Sequence, residues 1–224
     1  IKMNENLLHN IALTLIEDVG PVLSKVLISY CGSAEAVFSA SKKALSKIPQ
    51  VGLKTIEKIK DNRQAFALAE RQIDYLLAKG GRALLFHTPE YPQRLKNFES
   101  SPLVLYSRGN MQLNHPRTVA IIGTRKPTEL GKIHCEKLIQ GLVAYDAQII
   151  SGLAFGIDTC AHTHAIHSSL ETIGVMGHGL DRLYPSANHK LARQMEEKGG
   201  VLTEFPIETN PDRENFPMRN RIIA

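Results

Sequence analysis

From Arg117 to the end of the chain, short apolar runs that close on glycine or a turn residue alternate with stretches of helical periodicity. The runs are TVAIIG, AQIISG, ETIGVMG and GGVLTEFP, with RALLF and PLVLYSRG ahead of them. A strand followed by a helix and then by another strand of the same sheet joins it in parallel, through a right-handed crossover. Such a sheet needs helices on both faces. The pattern therefore predicts a doubly wound, mainly parallel α/β domain over residues 82 to 224. Residues 88 to 116 lead into this sheet and are expected to add an edge strand.

The first 81 residues obey a different rule. Leu7, Leu8, Ile11 and Leu15 follow helical spacing, and Asn62 caps a longer helix, RQAFALAERQIDYLLAK, that ends at Gly80 and Gly81. Within this region VGPVLSKVL aligns with VGLKTIEKI when Val19-Gly20 is set on Val51-Gly52. The repeat resembles a pair of helix-hairpin-helix units, in which a V-G turn joins two short helices. Glycine suits such a turn because it adopts positive φ and admits a phosphate close to the backbone. The same pattern also fits a helical bundle that uses glycine caps. Ile1 and Lys2 read as residues ahead of a native start at Met3.

Charge narrows the function classes. Lys and Arg outnumber Asp and Glu by 27 to 22, a net +5 that favours a polyanionic partner. Cys31, Cys135 and Cys160 are odd in number and lack CxxC spacing, which argues against a disulfide framework or a zinc ribbon and for a reducing cytoplasm. No run reaches the roughly 18 to 20 apolar residues of a membrane span, and the N-terminus lacks a secretory signal.

In an open parallel sheet, ligands bind beyond the carboxyl ends of the strands, where loops enter helices. Three glycine loops fall there: Gly123-Thr124-Arg125-Lys126, then Ser151-Gly152 with Gly156, then Gly177-His178-Gly179. Thr124 and Ser151 offer hydroxyls to a phosphate, and Arg125 and Lys126 offer charge. Arg219, Asn220 and Arg221, near the end of the chain, add two guanidinium forks and an amide.

Several chemistries lack their residues. No strand carries G-x-G-x-x-G with an acid about 20 residues on, and no G-x-x-x-x-G-K-[ST] loop occurs, so dinucleotide and P-loop sites are not expected. Asp158 and His162 stand four apart on one helical face, but His164 points elsewhere. Asp158 is therefore read as a carboxylate at a helix N-terminus beside the candidate site, with no metal. Ser151 lacks a G-x-S-x-G elbow and Cys160 lacks a paired base, so no catalytic residue and no cofactor is expected.

The order of motifs VAIIGTR, SGLAFGIDTCAH, GVMGHGLDRLYP, GGVLTEFP and FPMRNRIIA resembles the DprA/Smf family of bacterial DNA-processing proteins. YPQRLKNFESSPLVLYSRGN and the helix-hairpin-helix-like (SAM-like) N-terminus extend the likeness to nearly the whole chain. The resemblance implies a Rossmann-like core that binds single-stranded DNA without turnover, self-associates as a dimer, and helps load the RecA recombinase in natural transformation. The family's basic pocket maps onto Gly123, Thr124, Arg125, Ser151, Gly152, Arg219, Asn220 and Arg221.

Two departures stand out. Phe155 occupies a position where the family often has a basic residue, which removes a phosphate contact but supplies a ring for stacking on a base. The sequence stops at Ala224, where family members continue with another strand and helix. The rival class is a nucleotide or phosphoribosyl enzyme of a related Rossmann-like group, whose P-G-G-x-G-T-x-x-E motif does not occur here.

Overall fold

The structure is a computed structural model that describes residues 5–224, so Ile1, Lys2 and Met3 lie outside the described residues. The chain divides into two compact units, Ile1–Lys79 with Ala83–Leu105 and Gly80–Arg82 with Tyr106–Ala224.

The first unit is built on six helices: α1 (Glu5–Thr14), α2 (Pro21–Cys31), α3 (Ala34–Ser39), α4 (Lys42–Leu45), α5 (Leu53–Lys60) and α6 (Arg63–Lys79). In α6, Ala65, Ala69, Ile73 and Leu76 recur at helical spacing on the buried face, and α1 packs against it. Gly80, at φ 65°, ends that helix.

The V-G repeat is real at the level of the backbone. Val19 and Val51 are both buried, and their N–H groups donate to Ile16 and Ile48 at 3.1 and 3.2 Å. The carbonyls of Gly20 and Gly52 accept the first helical bonds of α2 and α5, from Ser24 and Ile56. The expected positive φ lies elsewhere: Gly20 and Gly52 have φ of −77° and −88°. Asp18 and Gln50, two residues earlier, hold the left-handed positions at 66° and 68°. Each glycine thus caps a helix in extended geometry, and the reversal of the chain is completed before it.

The second unit carries the α/β order anticipated from the apolar runs. One sheet runs β1-β2-β6-β5-β4-β3, formed from β1 (Gly81–Leu85), β2 (Val104–Asn110), β3 (Thr118–Ala120), β4 (Gln148–Ser151), β5 (Thr172–Val175) and β6 (Gly199–Thr203), of which Ala83–Leu85 and Val104–Leu105 belong to the first unit. Strands β3 to β6 are parallel neighbours, and β2 runs antiparallel to β6 with Tyr106 opposite Thr203. β2 is therefore internal and β1 takes the edge. The crossovers contain α7 (Glu129–Leu142), α8 (Ile157–His167) and α9 (His189–Met195), and α10 (Asn215–Ile223) follows β6. Ile121, Ile139, Ile149, Ala161 and Leu170 close a core between β3, β4, α7 and α8.

Candidate nucleic-acid interface

The loops after β3 and β4 are locked together. Gly156 caps α8 at φ 84°, and a Cβ built on it lies 2.2 Å from the Thr124 carbonyl oxygen. The Ile157 N–H donates to that same carbonyl at 3.1 Å. The first N–H of α8 is thus spent on the neighbouring loop rather than presented outward. From the other side, a Cβ on Gly123 meets the Ile157 side chain at 2.6 Å. The Thr124 hydroxyl accepts from the Lys126 N–H at 3.1 Å, a local turn that holds the Arg125-Lys126 tip exposed.

Beneath this surface lies a buried polar layer. Ser151 is fully buried and its hydroxyl donates to the Ile121 carbonyl at 2.6 Å, tying β4 to the end of β3. Arg219 is 4% exposed. Its Nη1 donates to the carbonyls of Gly152, at 2.6 Å, and of Val175, so one guanidinium joins the ends of β4 and β5. Its Nε donates to Asn220 at 3.1 Å. Asp158, 5% exposed, supplies the counter-charge. Burial raises the Asp158 pKa, against the pull of the Ala154 amide and Arg219. Arg219 is in turn lowered by burial, with Asp158 opposing.

Arg221, on another side of α10, pairs with Glu204 just past β6. Burial outweighs the attraction of Arg221 and pushes Glu204 up to about 7. Gly177 and Gly179 are packing positions: added Cβ atoms meet the Phe216 ring at 3.1 Å and the Pro206 carbonyl at 2.4 Å. Among the described residues no group of three or more His, Cys, Asp or Glu could hold a metal ion.

The outer surface combines cations and rings. Arg125 and Lys126 are exposed and in no ion pair among the described residues, and the Arg125 guanidinium sits 5.0 Å from the Phe216 ring centroid. Phe155 and Tyr184, 46% and 43% exposed, meet edge to face at 6.5 Å, and Tyr184 lies 6.2 Å from Phe216. His178 holds this arrangement: its ring bonds the Gly179 carbonyl at 3.0 Å and accepts from the Tyr184 N–H at 3.2 Å. Burial lowers its pKa, so the ring is neutral and Nδ1 is the donor. A groove of about 830 Å³ runs past Arg125, Lys126, Lys132, Phe155, Thr159 and His164.

Tyr184 and Phe216 were not among the residues singled out from sequence. With Phe155 they come from three separate parts of the chain, the loop after β4, the loop after β5 and the first turn of α10, and no spacing along the chain signals this. Of the candidates, Gly123, Thr124, Arg125, Lys126, Phe155 and Asn220 are at the surface. Ser151, Gly152, Asp158, Gly177, Gly179 and Arg219 form the layer below, and Arg221 is half-buried against Glu204.

The family pattern of the DNA recombination-mediator protein A matches residues 82–224. The chain belongs to this family. A SAM-like helix-hairpin-helix tandem pattern matches residues 11–64. Among curated relatives of the DprA/Smf group, the chain is 38% identical to protein Smf of Synechocystis over 223 residues, 96% of this chain and 54% of that protein. It is 31% identical to the DNA processing protein DprA of Bacillus subtilis, covering 92% of this chain and 70% of that one. It thus spans little more than half of the Synechocystis relative. The X-ray structure of DprA from Streptococcus pneumoniae aligns with all of this chain and 75% of its own, at TM-score 0.69 and 27% identity. The Helicobacter pylori DNA processing protein A, a structure concerned with its single-stranded DNA binding mode, aligns over 64% of each chain at TM-score 0.57 and 33% identity. No described helix is long and apolar enough to cross a membrane.

Proposed function

We propose that this chain is a non-enzymatic single-stranded DNA-binding protein of recombination, acting in the cytoplasm on DNA taken up in natural transformation. The observation that carries this reading is the exposed Arg125-Lys126 tip beside the Phe155, Tyr184 and Phe216 rings. Single-strand binders pair a basic track for phosphates with rings for bases, and every base has a face to stack. The single-strand binding of the Helicobacter pylori relative supports the same substrate.

On this reading Gly123, Thr124 and Gly156 bring the backbone close to the strand, and Arg125 and Lys126 contact phosphate. Ser151, Gly152, Asp158, Gly177, Gly179 and Arg219 act from beneath by fixing the loops. Asn220 reaches the strand from α10, and Arg221 becomes available only when its bond to Glu204 is exchanged. Self-association as a dimer and delivery of the coated strand to RecA complete the proposed role.

A titration of labelled oligo-dT and of a matched duplex at about 50 and 200 mM salt tests it. Tighter binding to the single strand, weakening with salt and unaffected by mononucleotides, is expected. Selective competition by a mononucleotide would favour the phosphoribosyl-type enzyme instead, and equal affinity for duplex would overturn the single-strand assignment.

A further inference from the structure

The two V-G turns of the helical unit share a backbone but not a charge. Ahead of Gly20 stand Glu17 and Asp18, and Lys58 from α5 is bound to both, at 2.9 Å to Glu17. The first turn therefore presents carboxylates, partly neutralised from within. The second turn has the opposite character. Between Glu35 and Glu57 the sequence contains no acidic residue, and it places Lys42, Lys43, Lys47 and Lys54 within 13 positions. All four are exposed and none is in an ion pair among the described residues.

The segment holding them is ordered tightly. The Ser41 hydroxyl caps α4 through the Ala44 N–H at 3.1 Å. Consecutive turns carry the chain through Lys47 and Ile48 to Val51, while Leu45, Ile48 and Val51 point into the core. With the apolar side chains anchored below, the lysines are held on the outside of one short hairpin. At its tip the fold makes no demand for glycine: Gly52 has ordinary extended φ and open space where a Cβ would stand. Leu53 beside it is 77% exposed, so the core does not account for that residue either.

We infer that the α4–α5 hairpin is a second nucleic-acid contact, in which Lys42, Lys43, Lys47 and Lys54 hold the phosphodiester backbone around Gly52, and that the α1–α2 turn is not. Four like charges with no internal partner are neutralised best by a polyanion, and the bare tip lets a phosphate chain approach the backbone. The proposal rests on the nucleic-acid reading of the chain but not on the Arg125 site.

The test compares the full chain with a variant carrying Lys42→Gln, Lys43→Gln, Lys47→Gln and Lys54→Gln, by salt titration against a single strand and a duplex of equal length. A second variant, Arg63→Gln, Arg71→Gln and Lys79→Gln, removes three exposed positive charges from α6 and controls for net charge. The hairpin variant is expected to flatten the log-log salt slope by about 0.7 per phosphate contact on the single strand, or about 0.9 on the duplex. The arm with the larger loss identifies which form the hairpin holds. The α6 variant is expected to change the slope by less than one contact. Acetylation of surface lysines, read by mass spectrometry, is expected to be protected by DNA at the four positions.

An unchanged slope with unprotected lysines, in a chain that still loses affinity on Arg125→Ala, would overturn the proposal while leaving the main site standing. Equal flattening by the α6 variant would reduce the effect to net charge and overturn it as well. If the unaltered chain binds neither form of DNA, the reading of the whole protein fails first.

Discussion

The guanidinium of Arg219 lies directly against Gly152: its Nη1 donates to the Gly152 carbonyl at 2.6 Å, and a Cβ added to Gly152 stands 2.6 Å from the guanidinium carbon. An arginine that the sequence offers to phosphate instead supports the loop above it. Its removal takes the donor away from the buried Gly152 and Val175 carbonyls and weakens the charge balance at Asp158, and a buried polar group left unsatisfied costs about 1 to 3 kcal/mol. Arg219→Ala is therefore expected to lower unfolding free energy in denaturant by an amount of that order. Gly152→Ala, which forces the guanidinium aside, is expected to cost about 1 to 3 kcal/mol.

Arg125 should behave in the opposite way. Its side chain is exposed, lies over the Phe216 ring and is in no ion pair among the described residues, so Arg125→Ala is expected to leave the melting temperature near that of the unaltered chain. Its loss should weaken single-strand binding for every sequence and make the salt slope shallower by about 0.7. An unchanged slope would remove Arg125 from the interface.

Ring deletions separate stacking from charge. Phe155→Ala or Tyr184→Ala is expected to cost about 1 to 3 kcal/mol of oligo-dT affinity per base unstacked, with the salt slope unaltered. A slope that moves instead would show that the rings act only by placing Arg125.

Glu204 ties stability to pH. Its folded pKa, about 7, lies above the ordinary value of 4.5, so the folded chain holds a proton that the unfolded chain releases. Stability from this group is present below about 4.5 and is lost as pH rises to about 7. His162 works against it: burial lowers its pKa from 6.5 to about 3, so stability is lost as pH falls through that interval. Glu204→Gln keeps an acceptor for Arg221 and removes the titration. Its unfolding free energy, relative to the unaltered chain, is expected to rise between about pH 4.5 and 7 and stay level above. A constant difference across the range would count against this assignment.

The alternation of runs from Arg117 onward made the α/β domain legible, because strand and helix periods are local properties. So were the strand-end loops, since glycine and turn residues mark them. The direction of each side chain was not. Arg125 and Arg219 are the same residue in comparable motifs, yet one faces solvent and the other lies under Gly152, a difference decided by where α10 docks. Likewise Tyr184 and Phe216 gain meaning only when a loop and a helix start far apart in sequence meet. The place of β2 beside β6 followed no local rule either, as antiparallel pairing across some 90 residues leaves no mark in either strand.

The lock between Gly156 and the Thr124 carbonyl has a consequence for the order of events during folding. Neither loop reaches its final shape until the other is in place, so the exposed tip at Arg125 and Lys126 is assembled by coincidence of two crossovers rather than by either alone. A chain that has completed only its first βαβ half displays the charges but not their arrangement. The arrangement of that tip therefore depends on both loops at once, and a change in either one alters the placement of its charges.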